Sequence, residues 1–449
     1  MIEHIREHER CLIFAAMGSG KTCAVLTAAA ADDLIYDGPS LVVAPKRVAL
    51  NTWPAEAKKW EHLRSLDISP IIGPEAQRLA ALKRDVPVYT VNYDNLVWLV
   101  KHYGNKWPFR SIVPDETTRL KGYRTRQGGA RARALSAVAH RFVKKWVGLT
   151  GTPAPNGYQD LWGPMWFVDR GERLGRSYDA FHQRWFKLKH GSDSKHGQYV
   201  LAHEACRDEI DARIRDVCIT IDPKDYGLEV DEIIDVPVYV DLPAKARGHY
   251  NAVEKHFFTE LRSGEIDAVN AGVKSGKLLQ MASGAVFHTG TEKTWEVVHD
   301  EKLDALESIF GEAGGMPLLV SCWWKHDYIR IKERFPRARV LDDKKSTEDA
   351  WNRGDIPMLL AAPGSAGHGL NLQYGGNIIV EFSQFWDMEL REQIAERIGP
   401  LRQFQAGLDR PVYRYSILAR DTMDETALHR QALKVSVQDA LLEAMKRRS

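Results

Sequence analysis

Phosphate chemistry is written first in "CLIFAAMGSGKTCAV", where Gly18, Ser19, Gly20, Lys21 and Thr22 follow an apolar run and precede a helical one. Glycines there let backbone N–H groups close around phosphate oxygens, and the helix N-terminus adds positive potential. Lys21 then reaches terminal phosphates and Thr22 offers a hydroxyl to Mg²⁺. The strict pattern has a glycine five places before Gly20, where this chain has Ala15.

A second string, "RSIVPDETTRLKG", ends a short β-branched run on Asp115 and Glu116. Phosphate-loop enzymes need an acidic side chain at the end of another strand to hold the metal, a role Asp115 fits. Glu116 is the candidate general base for the attacking water. Pro114 has no N–H for a sheet ladder and marks the strand's end. In "WVGLTGTPAPNGYQDLW", Thr150, Gly151 and Thr152 leave another predicted strand, and their hydroxyls are candidates to sense the γ-phosphate. Taken singly, each string has a plain counterpart: a glycine turn, a solvated acidic turn, a polar strand exit. Their order along one chain is much harder to obtain by chance.

The C-terminal half carries "AAPGSAGHGLNLQYGG", in which Ser365, Gly367, Gly369 and Asn371 form a turn able to take a nucleic-acid phosphate. Arg397 and Arg402 follow on or after the next helix, with Gly399 and Pro400 between them. An arginine finger contributes roughly 10³ to 10⁵ in rate, about 4 to 7 kcal/mol of barrier. Proline is expected to end the helix near Ile398, keeping Arg397 helical and returning Arg402 on a loop. Between Thr117 and Gln159 stand nine Lys or Arg residues and no acid. Arg131 and Arg133 lie in that run, which is either a solvated face or one turned to an anionic partner.

These strings need strands to present them. In the first third, "CLIFAA", "SLVVAP", "VPVYTVN", "RSIV" and "WVGLT" alternate with helical stretches, which argues a parallel sheet covered by helices. From about Trp162 to Glu232 the pattern reads as a mainly helical insertion. Strand runs return at "IIDVPVYVDL", "MPLLVSCWW", "RARVL", "PMLLAA", "NIIVEF" and "VYRYSIL", giving a second α/β lobe. The predicted division is 1–165, 166–232 and 233–449, with a further helical insertion near 243–300 and a closing helix from Asp424 to Arg448.

Composition agrees with this plan. The chain's 449 residues are enough for two or three cores, its 44% apolar and 27% charged content is that of an ordinary globular protein, and its net charge is +2. No window is apolar and long enough to cross a bilayer, and the charged start "MIEHIREHER" is unlike a secretory signal. Five scattered cysteines without CxxC spacing read as reduced thiols, so a cytoplasmic location is expected.

In this order, "AAMGSGKT", "LVVAPKRVALNTWPAEAKKW", "VNYDNL", "DETTRLKG", "LTGTPAPN", "SAGHGLNL" and "QIAERIGPLRQ" resemble motifs I, Ia, Ib, II, III, V and VI of superfamily 2 helicases and translocases. The chain looks most like the Swi/Snf-type ATPases, particularly short phage-encoded versions. The resemblance implies two RecA-like lobes with helical insertions, ATP and Mg²⁺ between them, and duplex or single-stranded DNA across their faces. It implies nucleic-acid contacts at Lys46, Arg47, Asn92, Ser365, Gly367 and Asn371, coupling at Thr150, Gly151 and Thr152, and an arginine finger at Arg397 or Arg402. Other replication, recombination or nuclease proteins are further expected partners, in the host cytoplasm if the chain is phage-encoded. A helicase that separates strands, a nucleotide-switched DNA-binding module and the motor subunit of a nuclease complex are the alternatives. Three departures stand out: no glutamine precedes motif I to read adenine, Thr118 replaces a frequent histidine, and four residues instead of two separate the motif VI arginines.

Overall fold

The computed structural model describes residues 1–15, 18–31, 38–125, 128–151, 153–154, 157–189, 198–221, 231–263, 268–288, 294–342, 344–366, 370–408 and 410–428. These residues divide into two compact units, the first mainly Met1–Lys187 with Tyr199–Glu229 and the second mainly Val230–Leu433.

Strands β1 (Arg10–Ala15), β2 (Ser40–Ala44), β3 (Ile68–Ile71), β4 (Val88–Asn92), β5 (Ser111–Pro114) and β6 (Lys145–Thr150) fall on the apolar runs of the first third, with β3 an addition. A short pair, β7 (Phe186–Lys189) and β8 (Gln198–Leu201), precedes β9 (Cys218–Ile221). The first sheet runs β3-β4-β2-β5-β6-β1-β9, and every pairing in it is parallel. Strands such as "SLVVA" are buried along their whole length, as helices on both faces require. Pro70 sits in β3 at the sheet's edge, where a missing donor costs little. Residues 166–232, read as mainly helical, also supply β9, which pairs with β1. The four residues "CITI" are too short a run to separate from a helix by pattern.

Parallel sheets leave helix ends to be satisfied at the amino edge. Arg10, on the first residue of β1, donates to the carbonyls of Ala139, Val143, Phe167 and Val168 at 2.7–3.1 Å. Those oxygens lie at or just beyond the C-termini of the helices Ala130–Ala139 and Trp162–Asp169. One guanidinium thus satisfies carbonyls at the ends of two helices.

In the second unit, β10 (Ile234–Val240), the antiparallel hairpin β11 (Ala285–Phe287) and β12 (Trp295–Val297), β13 (Leu318–Ser321), β14 (Arg339–Val340), β15 (Met358–Ala361), β16 (Ile378–Glu381) and β17 (Tyr413–Ala419) follow one another. All but the hairpin form a parallel sheet, β10-β17-β16-β13-β15-β14. The expected pair of parallel-sheet α/β lobes is present. Lys302 and Asp424 form an ion pair at 2.6 Å, both side chains fully buried. Lys302 Nζ also donates to the Phe382 carbonyl, and Asp424 accepts from the Ala419 N–H. The expected closing helix lies, beyond residue 428, outside the described residues.

His299 is buried beside this pair, its Nε2 3.0 Å from the Met281 carbonyl. Burial, with Lys302 and Arg330 nearby, lowers its imidazole from the ordinary 6.5 to about 4. The folded form therefore refuses a proton that the unfolded chain accepts below pH 6.5. Its contribution is intact above that pH and lost as pH falls toward 4, amounting to about 3 kcal/mol. Urea melts between pH 7 and 4 are expected to show this loss, and His299→Gln to flatten it.

Candidate nucleotide and nucleic-acid site

At the carboxyl edge of the first sheet, parallel pairing gathers the distant strings. β1 exits at Ala15 into the turn Gly18–Gly20, where both glycines take left-handed backbones at φ 82° and 81°. Gly20, which has no side chain to bond the first turn's N–H groups, caps the helix Lys21–Ala30, as suits a loop that must surround an anion. Lys21 Nζ donates to the Ala15 carbonyl at 2.5 Å, which lays the ammonium across the loop's mouth. Thr22 is half-buried on the first helical turn.

Beside β1 runs β6, with Phe14 opposite Thr150, and next to it the end of β5, with Asp115 bridging Leu149. Pro114 closes β5 without a donor, and the Asp115 N–H takes up the Val43 carbonyl at 2.8 Å. Glu116 is one of three non-glycine residues at positive φ among those described, at 61°. That left-handed turn costs energy for a side-chain-bearing residue and persists only when its surroundings hold it. They do: the Tyr93 hydroxyl lies 2.9 Å from the Asp115 carbonyl and 3.3 Å from that of Glu116, and the Arg119 N–H bonds Glu116 at 3.0 Å. Trp53 Nε1 donates to Asp115 Oδ2 at 3.1 Å. Thr117 Oγ1 bonds the Leu149 carbonyl, and Thr118, at the frequent histidine's place, is buried.

Further along the same edge, Lys46 is exposed and Arg47 half-buried just past β2, while Asn92 closes the adjacent β4. Asn92 is buried, with its amide toward Asp94 at 3.4 Å. Arg131 forms an ion pair with Asp94 in which both side chains are more than half exposed, and Arg133 is exposed on the same helix. The nine-charge run is not one patch. Arg119, Lys121 and Arg124 follow the acidic pair, whereas Lys144 and Lys145 enter β6 at its opposite, amino end, both N–H groups bonded to the Arg110 carbonyl. Arg124 is half-buried against the Tyr178 ring, 3.2 Å from its centroid.

In the second unit β15 leads into the short helix Pro363–Ala366, which includes Ser365, and Asn371 follows. Thr152 and Gly367 lie outside the described residues. Asn371 Oδ1 accepts from Arg402 Nη1 at 2.7 Å, and its main chain is held by Glu348 and Asn352. Motif VI departs from expectation. The helix Met388–Ala395 ends before Arg397, which sits buried in the following turn, and Pro400 opens a new helix, Pro400–Gln405, that carries Arg402. Proline at a first helical position starts a helix as readily as it stops one, because its missing N–H has no partner there anyway. Gln403 fixes this helix by donating to the carbonyls of Gln373, Gly376 and Ile398. The preceding helix is tied down by Arg391, bonded to Glu381 at 2.7 and 3.0 Å. Burial alone would raise the Glu381 carboxyl, but Arg391 and Arg414 outweigh it and hold it below the usual range.

Sequence reasoning passed over Trp53, Tyr93, Gly148 and Gln403. The usable signal for the two aromatics was position: Tyr93 stands just past a strand and Trp53 opens the helix that follows one, each inside a string already singled out. As to metal, no group of three or more His, Cys, Asp or Glu side chains suited to one occurs among the described residues. One carboxylate, Asp115, and one hydroxyl, Thr22, fit Mg²⁺ held chiefly through nucleotide phosphates.

Residues 1–283 match the SNF2-related domain. Over its full length the chain is 50% identical to "Putative protein p41" of Acyrthosiphon pisum secondary endosymbiont phage 1, covering 97% of that protein. It is 22% identical to the "Chromodomain-helicase-DNA-binding protein 1-like" of Danio rerio over 98% of this chain and 42% of the relative, so it spans about two fifths of that protein's length. Among solved structures, the "Sulfolobus solfataricus SWI2/SNF2 ATPase core in complex with dsDNA" matches with a TM-score of 0.42 and 20% identity, over 99% of this chain and 92% of that one.

Gly148 makes the acidic turn possible, since a Cβ there would lie 2.5 Å from Leu12 Cδ2 and 2.7 Å from Thr117 Cγ2. Gly148→Ala is expected to destabilise the first unit by about 1–3 kcal/mol and to displace Thr117 beside Glu116. Urea melts, together with ATP turnover by the fraction that remains folded, check both effects.

Proposed function

This chain belongs to the SNF2-related domain family, and on that premise we propose that it is an ATP-driven DNA translocase that hydrolyses Mg²⁺-ATP on its first unit. One observation carries the reading: the phosphate loop, the Asp115–Glu116 pair, Thr150 and the Lys46–Arg47 loop share one sheet edge. Ligands of open parallel sheets bind at that edge.

In this reading the backbone of Gly18–Gly20 and the Lys21 ammonium bind the phosphates. Thr22 and Asp115 hold Mg²⁺, which supplies neutralising charge on the phosphate oxygens. Glu116 takes the proton of the attacking water, and Thr150, Gly151 and Thr152 respond to loss of the γ-phosphate. Lys46, Arg47, Arg131 and Arg133 of the first unit and Ser365, Gly367 and Asn371 of the second contact the DNA backbone. Asn92, being buried, holds the loop that does so. A phage relative supports a bacterial host cytoplasm as the place of work; among the described residues no helix is long and apolar enough to cross a membrane. Turnover measured without nucleic acid and with single-stranded DNA, duplex DNA or RNA tests the proposal, with duplex DNA expected to stimulate most. Equal rates in all four would refute it.

Lys21→Ala is expected to abolish turnover by weakening nucleotide binding, whereas Glu116→Gln keeps binding and slows hydrolysis by at least roughly 10²-fold. Nucleotide fluorescence titration and single-turnover assays separate the two. Normal hydrolysis by Glu116→Gln would remove the base assignment.

For the finger we assign Arg402, half-exposed on its helix, and give buried Arg397 a bracing role. Arg402→Ala is expected to cut DNA-stimulated turnover by roughly 10³-fold or more with ATP affinity little changed, since the contact forms in the transition state. Arg397→Ala should be milder in the same assay. The reverse order would transfer the finger to Arg397.

A further inference from the structure

Two buried aromatic side chains reach the acidic pair from the two loops expected to meet nucleic acid. The first loop leaves β2 through Lys46 and Arg47, winds through a π-helical turn at Val48–Thr52 and starts the helix Trp53–Lys59. π-Turns of this kind are rare and concentrate at functional sites. Trp53 is fully buried, and its indole N–H bonds a side-chain oxygen of Asp115. The second loop leaves β4 at Asn92, and the next residue, buried Tyr93, bonds both main-chain carbonyls of Asp115 and Glu116. The π-turn is also tied to the strand that carries the second loop, since Thr90 Oγ1 within β4 donates to the Ala49 carbonyl inside the π-turn at 2.5 Å.

The division of labour is specific. Trp53 fixes the carboxylate, leaving its orientation dependent on where the π-turn lies. Tyr93 fixes the peptide groups that hold Glu116 in its left-handed turn, so it governs where the base points. A phenyl ring in Tyr93's place would fill the space without donating, and in Trp53's place would fill most of it without donating.

We infer that Trp53 and Tyr93 are positioning residues through which nucleic acid on the Lys46–Arg47 and Asn92 loops sets the metal-holding Asp115 and the base Glu116. This rests on the function proposed above. Movement of the π-turn shifts the indole and with it the Asp115 carboxylate; movement of the β4 exit shifts the phenol and with it the Glu116 turn.

Trp53→Phe and Tyr93→Phe each remove one donor and keep an aromatic ring, and thermal melts establish that they fold. Mn²⁺ binding in the presence of adenylyl imidodiphosphate, read by electron paramagnetic resonance, reports on Asp115 without turnover. The ratio of duplex-stimulated to basal turnover reports on coupling. Neither quantity changes when part of a sample is merely unfolded. Trp53→Phe is expected to raise the Mn²⁺ dissociation constant about tenfold, and Tyr93→Phe to lower the stimulation ratio about tenfold, as loss of a bond to a charged or strained group implies. Tyr93→Phe deletes a single oxygen and carries the test should Trp53→Phe fail to fold. Folded variants within about twofold of wild type in both quantities would overturn the inference, and so would loss of duplex affinity measured without nucleotide. A wild-type protein whose turnover ignores nucleic acid would instead sink the proposed function, while a shifted Mn²⁺ affinity in Trp53→Phe would still place the indole on Asp115.

Discussion

Everything in the first unit hangs on how β5 ends. It lies between β2 and β6 in a sheet whose strands all point the same way, so whatever follows it must emerge at the edge where β1 also releases the phosphate loop. Pro114 ends the ladder, the Asp115 N–H closes on Val43, and Asp115 still bridges Leu149. The first acidic residue is thus held as strand and the second, Glu116, as a left-handed turn. Two neighbouring carboxylates are given different directions by one change of backbone region, which is how a metal ligand and a base can occupy consecutive positions.

The second unit solves a comparable problem with charge. Glu381 at the end of β16 grips Arg391, while Arg414 on β17 pairs with Asp235 on β10 and with Glu392. Buried ion pairs contribute little net stability after desolvation. Their geometry is stringent, however, and these bonds fix the helix Met388–Ala395 relative to three strands. That helix delivers the chain to the Arg397 turn, so the pairs act as alignment more than as adhesive.

Much of this plan was legible from residue order. Runs rich in β-branched and other apolar residues announced eleven of the strands, and most of these are central strands buried along their length, which leaves no polar alternation; β10 and β14, at the edges of the second sheet, are largely exposed. Short or proline-bearing edge strands such as β3 and β9 gave no such signal. The phosphate loop was readable since its glycines have a mechanical purpose. The Arg402 helix was not, because a proline after a glycine is equally a stop and a start, and only the carbonyls that Gln403 reaches decide between them. The spread of the basic run was not legible for a different reason. Charge was counted along the chain, while the helix Ala130–Ala139 carries the chain from one edge of the sheet to the other. Trp53 and Tyr93 escaped notice because an aromatic after a strand reads as core, and their polar atoms matter only once the sheet puts Asp115 within reach.

The buried pair of Lys302 and Asp424 bears on where this polypeptide can be cut. Asp424 lies five residues past the end of β17, in a segment that adds nothing to the sheet. A shortened chain stopping at Ala419 would keep every strand and yet seal an ammonium into the interior with its counter-ion gone, a loss that typically costs about 3–5 kcal/mol. The functional border of the second unit is therefore electrostatic: any autonomous fragment has to run through residue 424, whatever the strand boundaries suggest.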